Sequence, residues 1–574
     1  MYSFRELQKA ANLDISGKEL RVAVLGNCAT QFFSTAIQGY ARLSGLNVTV
    51  FDTDYNQIEE QLLNPESDVY QFAPECVVIW EATDKIYEEF LMMPLEQRSS
   101  FAEFRISRLE HYWTLIQQNS GARILQPNFT EIADNVLGQF SCKVDSSFTF
   151  QLRKMNYLLQ KAEAARTDVF PVDLLSLQIQ LGQDKFYQAK LYYNAKMPIS
   201  LNALPYVGKA VTDVLLAMSG NIKKCVVMDL DNTIWGGVIG DDGLSRIEIG
   251  ELGKGHVFTN LQLWLKQLKE YGIILAVCSK NNEETAKEPF EQSADMVLRL
   301  DDISVFVANW EDKASNIRLI QETLNIGMNS IVFLDDNPFE RNLVRQMLPD
   351  VEVPELPEDP SRYLEHLQRW NYFETASYTG AGSDRTRLYQ AEFQRKQMEQ
   401  QYASIDEYLE SLEMIGEASP FTPQYYPRIA QLTQRSNQFN LRTVRYTENE
   451  IRRIAEDQQY ITIACSLRDK FGNHGLVSVV ILQKCSDTEA FVDTWLMSCR
   501  VLKRGMEEYV INTLMQKALE QGVAVVTAEY LQTPKNKMVA DIYEKMGFTK
   551  TDDNHYSISV KDYKVQKTFI REGV

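Results

Sequence analysis

The chain has 574 residues, enough for three or four domains, and its 44% hydrophobic and 24% charged residues exclude a disordered chain. A net charge of −19, from 59 Lys and Arg against 78 Asp and Glu, argues against a nucleic-acid partner, which needs a surplus of cations to displace counterions from phosphates. No apolar run approaches the roughly 20 residues that span a bilayer, and the first residues lack an apolar signal core, so a soluble cytoplasmic protein without membrane insertion is expected.

The eight cysteines include no C-x-x-C pair, and the five histidines do not cluster with them, which disfavours a zinc site or a disulfide framework. Taken in chain order, residues 1–222 open with a strand, Arg21–Leu25, and a turn, Gly26-Asn27-Cys28. Further strands are expected at Leu46–Asp52 and Cys76–Trp80, separated by helical segments. That alternation predicts a parallel α/β sheet whose carboxyl edge, at Gly26–Cys28, is where such sheets bind ligands. This arrangement resembles an SGNH-hydrolase-type domain. Cys28 stands at the nucleophile's position, but no histidine lies in the last part of the stretch, so no base activates it. A non-catalytic docking module is the expectation.

Residues 223–372 carry four strand-end signals. Lys223–Met228 runs as a strand into Asp229-Leu230-Asp231-Asn232-Thr233, where one carboxylate can attack phosphorus and the other can move protons. Ile273–Cys278 ends at Ser279, a hydroxyl suited to a phosphoryl oxygen. Lys313 opens a helical run, Lys313–Leu324, and its ammonium can neutralise transition-state charge. Ser330–Leu334 leads into Asp335-Asp336, which can complete a hard oxygen site for Mg²⁺.

This order of motifs resembles the haloacid dehalogenase (HAD) superfamily. The resemblance implies Asp229 as nucleophile, Asp231 as general acid and base, and Thr233, Ser279 and Lys313 around the phosphoryl group. It also implies Mg²⁺ on the Asp229 carboxylate, the Asp231 carbonyl and Asp336, with Asp335 behind them or as an alternative ligand. Only 50 residues separate Asp229 from Ser279, and 34 separate Ser279 from Lys313. That leaves no room for a large cap domain, only a glycine-rich flap at Trp235–Gly243.

Residues 373–574 begin with a polar helical connector, Ser383–Tyr402, followed by strands at Ile461–Ser466, Gly475–Gln483 and Ala490–Met497. A basic turn, Arg500 to Gly505 with Lys503 and Arg504, then enters a long amphipathic helix. Free N–H groups and cations at a helix start suit a pyrophosphate. The run from Asn536 through Tyr543 to Phe548 resembles the closing helix of GNAT acyltransferases, and the basic turn resembles their pyrophosphate loop without its second glycine.

Together the three stretches resemble the FkbH-like proteins, HAD subfamily IIIC. Matching segments are Val227–Val238, Val277–Asn281, Phe333–Arg341, Gln434–Asn440 and Asp469–Val477. The resemblance implies three α/β domains: an SGNH-like parallel sandwich, a Rossmann-like HAD domain without a large cap, and a GNAT-like α+β domain. It implies dephosphorylation of a small phosphorylated, glyceryl-type substrate coupled to acyl transfer onto an acyl carrier protein, with coenzyme A or phosphopantetheine at Arg500, Lys503, Arg504, Gly505, Asn536 and Tyr543. Cys278 is the thiol nearest the phosphate site in sequence. The alternative is a phosphatase alone, its flanking domains binding a carrier or a polysaccharide precursor.

Overall fold

The computed structural model describes residues 1–377, 395, 398, 402 and 404–573. The expected connector helix Ser383–Tyr402 falls largely outside the described residues. The chain separates into two compact units, Met1–Ala217 and Met218–Val574.

The first unit is built on five parallel strands: β1 Leu20–Gly26, β2 Val48–Asp52, β3 Cys76–Trp80, β4 Arg123–Pro127 and β5 Val169–Val172. They lie in the order β2-β1-β3-β4-β5, a doubly wound arrangement whose order reverses beside β1. β3 is buried along its whole length, as an apolar run in a two-sided sheet must be. The turn after β1 is closed. Asn27 is buried and its Oδ1 accepts the Ala82 N–H at 2.7 Å, while Cys28 is buried and burial pushes its thiol pKa up. Cys28 is therefore a protonated packing residue, not an exposed nucleophile.

The second unit begins with a four-stranded parallel sheet: β6 Cys225–Met228, β7 Ile274–Ser279, β8 Val305–Ala308 and β9 Ile331–Leu334, ordered β8-β7-β6-β9. Strand periodicity divides its side chains between two cores. Val226, Met228, Leu275, Val277, Val332 and Leu334 pack with the helices Gly253–Glu270 and Glu283–Gln292. Cys225, Val227, Ala276, Cys278, Ile331 and Phe333 pack with the helices Lys313–Leu324 and Pro338–Met347. Each of the larger side chains, fully buried, stabilises the sheet by about 1.5–3 kcal/mol relative to exposure. This double-sided anchoring fixes the strand ends that follow.

The same unit continues into a nine-stranded mixed sheet. Its strands are β10 Ile415–Ser419, β11 Phe439–Asn440, β12 Tyr460–Asp469, β13 Gly472–Lys484, β14 Glu489–Met497, β15 Val525–Glu529, β16 Thr549–Lys550, β17 His555–Ser559 and β18 Arg571–Glu572. The helix Met506–Glu520 packs into one core of this sheet, and the helices Tyr426–Arg435 and Glu448–Glu456 into another. The expected closing helix Asn536–Phe548 is broken. Val539 and Ala540 bond three residues back, forming a 3₁₀ turn at Lys537–Val539, and only Ile542–Lys545 is α-helical. No helix among the described residues is long and apolar enough to cross a membrane.

Candidate functional site

The carboxyl ends of β6, β7 and β9 converge, and so do the residues that follow them. β6 lies between β7 and β9, and the Asp229 N–H extends its ladder by donating to Leu334 O at 2.9 Å. Carboxylate oxygens of Asp229, Asp335 and Asp336 all lie within 4.8 Å of one another. Lys313, the first residue of its helix, is buried and reaches Asp335 Oδ2 at 2.5 Å and Asp229 Oδ1 at 3.0 Å.

The electrostatics follow from burial and crowding. Burial, then the neighbouring Asp229 charge, raises the Asp335 pKa to about 7, against the pull of Lys313. The same two causes raise that of Asp336. Burial works against the charge of Lys313, but Asp229 and Asp335 outweigh it and raise its pKa. Three carboxylates face one ammonium, so a divalent cation would bring the site to neutrality. The hard oxygen donors suit Mg²⁺. The residues fit the metal.

The two members of the acidic pair differ. Asp335 is wholly buried, bound to Lys313, and accepts the Asn337 N–H at 2.8 Å. Asp336 is more open, with a long contact of 3.5 Å from Thr233 Oγ1, whose oxygen also accepts the Asp336 N–H at 3.1 Å. Asp336 is thus the freer ligand and Asp335 the one already committed.

Asp231 stands outside the carboxylate trio and is held by three donors. Its Oδ1 accepts from Trp235 Nε1 and from the Ile239 N–H, both at 2.9 Å, and its Oδ2 accepts from Asn281 Nδ2 at 2.7 Å. Asn281 Nδ2 also reaches Ser279 Oγ at 3.2 Å, linking the first and second motifs. The glycine-rich flap is accordingly pinned. Trp235 is buried in the core, and Asn232 Oδ1 accepts the Gly237 N–H at 2.9 Å across a turn that needs φ +90° at Gly237.

Three contributors escaped the sequence reading. Asn281 lay inside a quoted motif without a role. Arg341 donates to the carbonyls of Asp335 at 2.9 Å and Asp336 at 2.6 Å, fixing the acidic loop. Tyr363 donates to Asn232 O at 3.4 Å from outside every motif. Arg341 closes the matching segment Phe333–Arg341, its one signal in the sequence, and nothing local points to Tyr363.

The expected pantetheine residues differ in exposure and in partners. Arg500 is buried and Lys503 is exposed, while Arg504 is buried and lies 3.6 Å from Asp469 Oδ2. Asp469 also meets Arg395 at 2.9 Å and His474 at 3.0 Å, so Arg504 belongs to an interior charge cluster. Gly505 caps the helix Met506–Glu520 with φ +78°. Asn536 is fully buried, donating to Asn440 O and Leu531 O and accepting the Thr533 N–H, so its amide is committed to the fold. Tyr543 packs among Trp495, Phe548 and Tyr556, its hydroxyl without a hydrogen-bond partner among the described residues. Cys278 is fully buried, its thiol raised by burial and directed toward Lys313 O at 3.8 Å. A thiol so placed stays protonated and out of a carrier's reach.

Residues 21–216 match the family model described as FkbH, N-terminal domain. Among solved structures, the chain is similar to the N-terminal part of the protein BF1531 from Bacteroides fragilis, which contains a phosphatase domain and was crystallised complexed with Mg. The identity is 47% and the TM-score 0.63, over 66% of this chain and 100% of that one. Weaker likenesses include the ribosomal-protein-S18-alanine N-acetyltransferase from Escherichia coli, at 16% identity and TM-score 0.20 over 25% of this chain and 94% of that one. Another is the spermidine N-acetyltransferase from Vibrio cholerae in complex with CoA and spermine, at 12% and 0.21 over 26% and 98%. Scores this low carry no functional argument. No curated protein matches.

Proposed function

Because the chain belongs to the family of the FkbH N-terminal domain and of BF1531, we propose that it is a Mg²⁺-dependent phosphatase acting on a small phosphorylated substrate through Asp229. The observation that carries this reading is the convergence of Asp229, Asp335 and Asp336 beside Lys313 at one sheet edge. The order of the four motifs supports assigning residues 223–372 to the HAD phosphatases, and the segments shared along the chain support subfamily IIIC.

In the proposed reaction an Asp229 oxygen attacks phosphorus and displaces the leaving oxygen, which takes a proton from Asp231. Asp231 then accepts a proton from water as that water attacks phosphorus and frees Asp229. The three donors on Asp231 hold it in one orientation through both steps. Lys313 balances charge on Asp229, and Ser279 and Thr233 offer hydroxyls to the phosphoryl oxygens. Asp229, Asp336 and the Asp231 carbonyl would hold Mg²⁺, which would supply neutralisation of the phosphoryl charge.

The finer reading, a coupled acyl transfer to an acyl carrier protein through coenzyme A or phosphopantetheine, rests on the GNAT-like run at residues 536–548. The buried Cys278, the committed Asn536 and the inward-paired Arg504 favour the simpler phosphatase, with the other domains as binding modules. A screen of phosphorylated three- to six-carbon acids and sugars with the full chain, with Mg²⁺ and with EDTA, tests the proposal. Release that is Mg²⁺-dependent and lost in Asp229→Asn supports it; no release from any substrate, or release by Asp229→Asn at the wild-type rate, overturns it.

A further inference from the structure

A cavity of about 470 Å³ lies within the second unit, between the amino edge of the four-stranded sheet and the nine-stranded sheet. Lys224, just before β6, lines it from one side. Arg428 and Arg435 of the helix Tyr426–Arg435, with Arg500 and Lys535, line it from the other. Asp350 is the only carboxylate among the described residues that line it. In a chain of net charge −19, five cations around one small cavity are a local reversal of sign.

Two of these cations show what the cavity lacks. Arg500 is 8% exposed; its Nε donates to Ser498 Oγ at 3.3 Å, but its Nη1 has no hydrogen-bond partner among the described residues. A buried guanidinium N–H left unmade is costly, which marks a missing acceptor. Lys535 donates to the neutral amide of Asn221, and among the described residues no carboxylate pairs with it. Burial, then Lys224, Arg445 and Lys223, pushes its pKa down to about 8. Like charges held this close are expensive unless an anion joins them.

We propose that this cavity binds a small phosphorylated anion, a phosphate or diphosphate ester with at least two negative charges. Arg and Lys together suit phosphate oxygens, and the volume suits a small molecule rather than a polypeptide. The site stands apart from the phosphatase reading. Lys224 and Asp229 lie at opposite ends of β6, about 16 Å apart along an extended strand.

Cys499 lines the same cavity, is partly exposed and carries a free thiol, so it serves as a local reporter. The full chain in EDTA is alkylated with iodoacetamide, and modification is followed residue by residue by mass spectrometry. The probes are inorganic pyrophosphate and coenzyme A, a free diphosphate and one carried on pantetheine, and the one that protects at the lower concentration identifies the source. Either anion is expected to slow alkylation of Cys499 at least fivefold without changing that of exposed Cys485. Protection should require at least tenfold more anion in Arg500→Gln and in Lys535→Gln, and should persist in the charge-conserving Lys535→Arg. Lys535→Gln should keep wild-type Mg²⁺-dependent phosphate release. Alkylation of Cys499 indifferent to both anions at millimolar concentration, or equal protection in both Gln variants, overturns the proposal.

Discussion

Asn281→Ala isolates the least expected contributor to the site. The amide touches no metal-binding carboxylate; it donates to Asp231 Oδ2 at 2.7 Å and is itself buried. Removing a hydrogen bond to a charged group costs about 1.5–3 kcal/mol. If that loss falls on the transition state, kcat drops about 10- to 150-fold at 1.4 kcal/mol per decade. KM should stay within about twofold, because Asn281 holds the proton-transfer group rather than the substrate. Trp235→Phe should cost less, since Oδ1 keeps the Ile239 N–H. Asn281→Asp should be worse than Asn281→Ala, because a second carboxylate would face Asp231 Oδ2. The assay is steady-state phosphate release with saturating Mg²⁺, with circular dichroism to confirm folding. An Asn281→Ala enzyme with wild-type kcat, or with its whole loss in KM, would refute the positioning role.

Asp229→Asn should lower phosphate release by at least about a thousandfold, since an amide is a far poorer nucleophile than a carboxylate; a continuous phosphate assay measures it. Asp336→Ala should weaken Mn²⁺ binding, followed by paramagnetic relaxation, more than Asp335→Ala, because Asp335 is already committed to Lys313. Lys313→Met should move two quantities in opposite directions: kcat falls, while Mn²⁺ binds more tightly to a site that has lost the ammonium beside Asp229 and Asp335. Asp469→Asn should cost about 3–5 kcal/mol in urea denaturation of the second unit at neutral pH, the expected loss for breaking a buried ion pair. Hydrogen bonding from His474, its charge and that of Arg395 overcome burial and hold the Asp469 carboxyl far below the usual carboxylate range. A lowered folded-state pKa contributes stability that is present above the unfolded value, near 3.9, and lost on acidification below it. The gap between wild type and Asp469→Asn should therefore narrow below about pH 4.

Short-range chemistry was the legible part. Cys76–Trp80 and Lys313–Leu324 have the bounds that their residue patterns suggest, because an apolar run or an amphipathic period is a local property. The strand-end motifs were legible for the same reason: a carboxylate after four buried β residues has one place to go. What escaped depends on contacts distant in sequence. Tyr363 reaches Asn232 across 131 positions, and no local pattern announces it. Arg504 reads as a phosphate ligand, but its guanidinium turns inward because Asp469, at the end of β12, offers a buried carboxylate. The run from Asn536 to Phe548 has helical spacing, yet Asn536 spends its amide on Asn440 and Leu531, and the following turn tightens to 3₁₀ geometry. The basic cavity was illegible because its cations come from residues 224, 428, 435, 500 and 535.

Trapping the phosphorylated residue tests the central claim most directly. The wild-type chain, mixed with ³²P-labelled substrate and Mg²⁺, is acid-quenched within the first turnover, reduced with borohydride and mapped by mass spectrometry. The account predicts substrate- and Mg²⁺-dependent label that hydroxylamine removes, with reduction confined to Asp229. Phosphate release with no label on the protein at any quench time, or label on a residue other than Asp229, would contradict it.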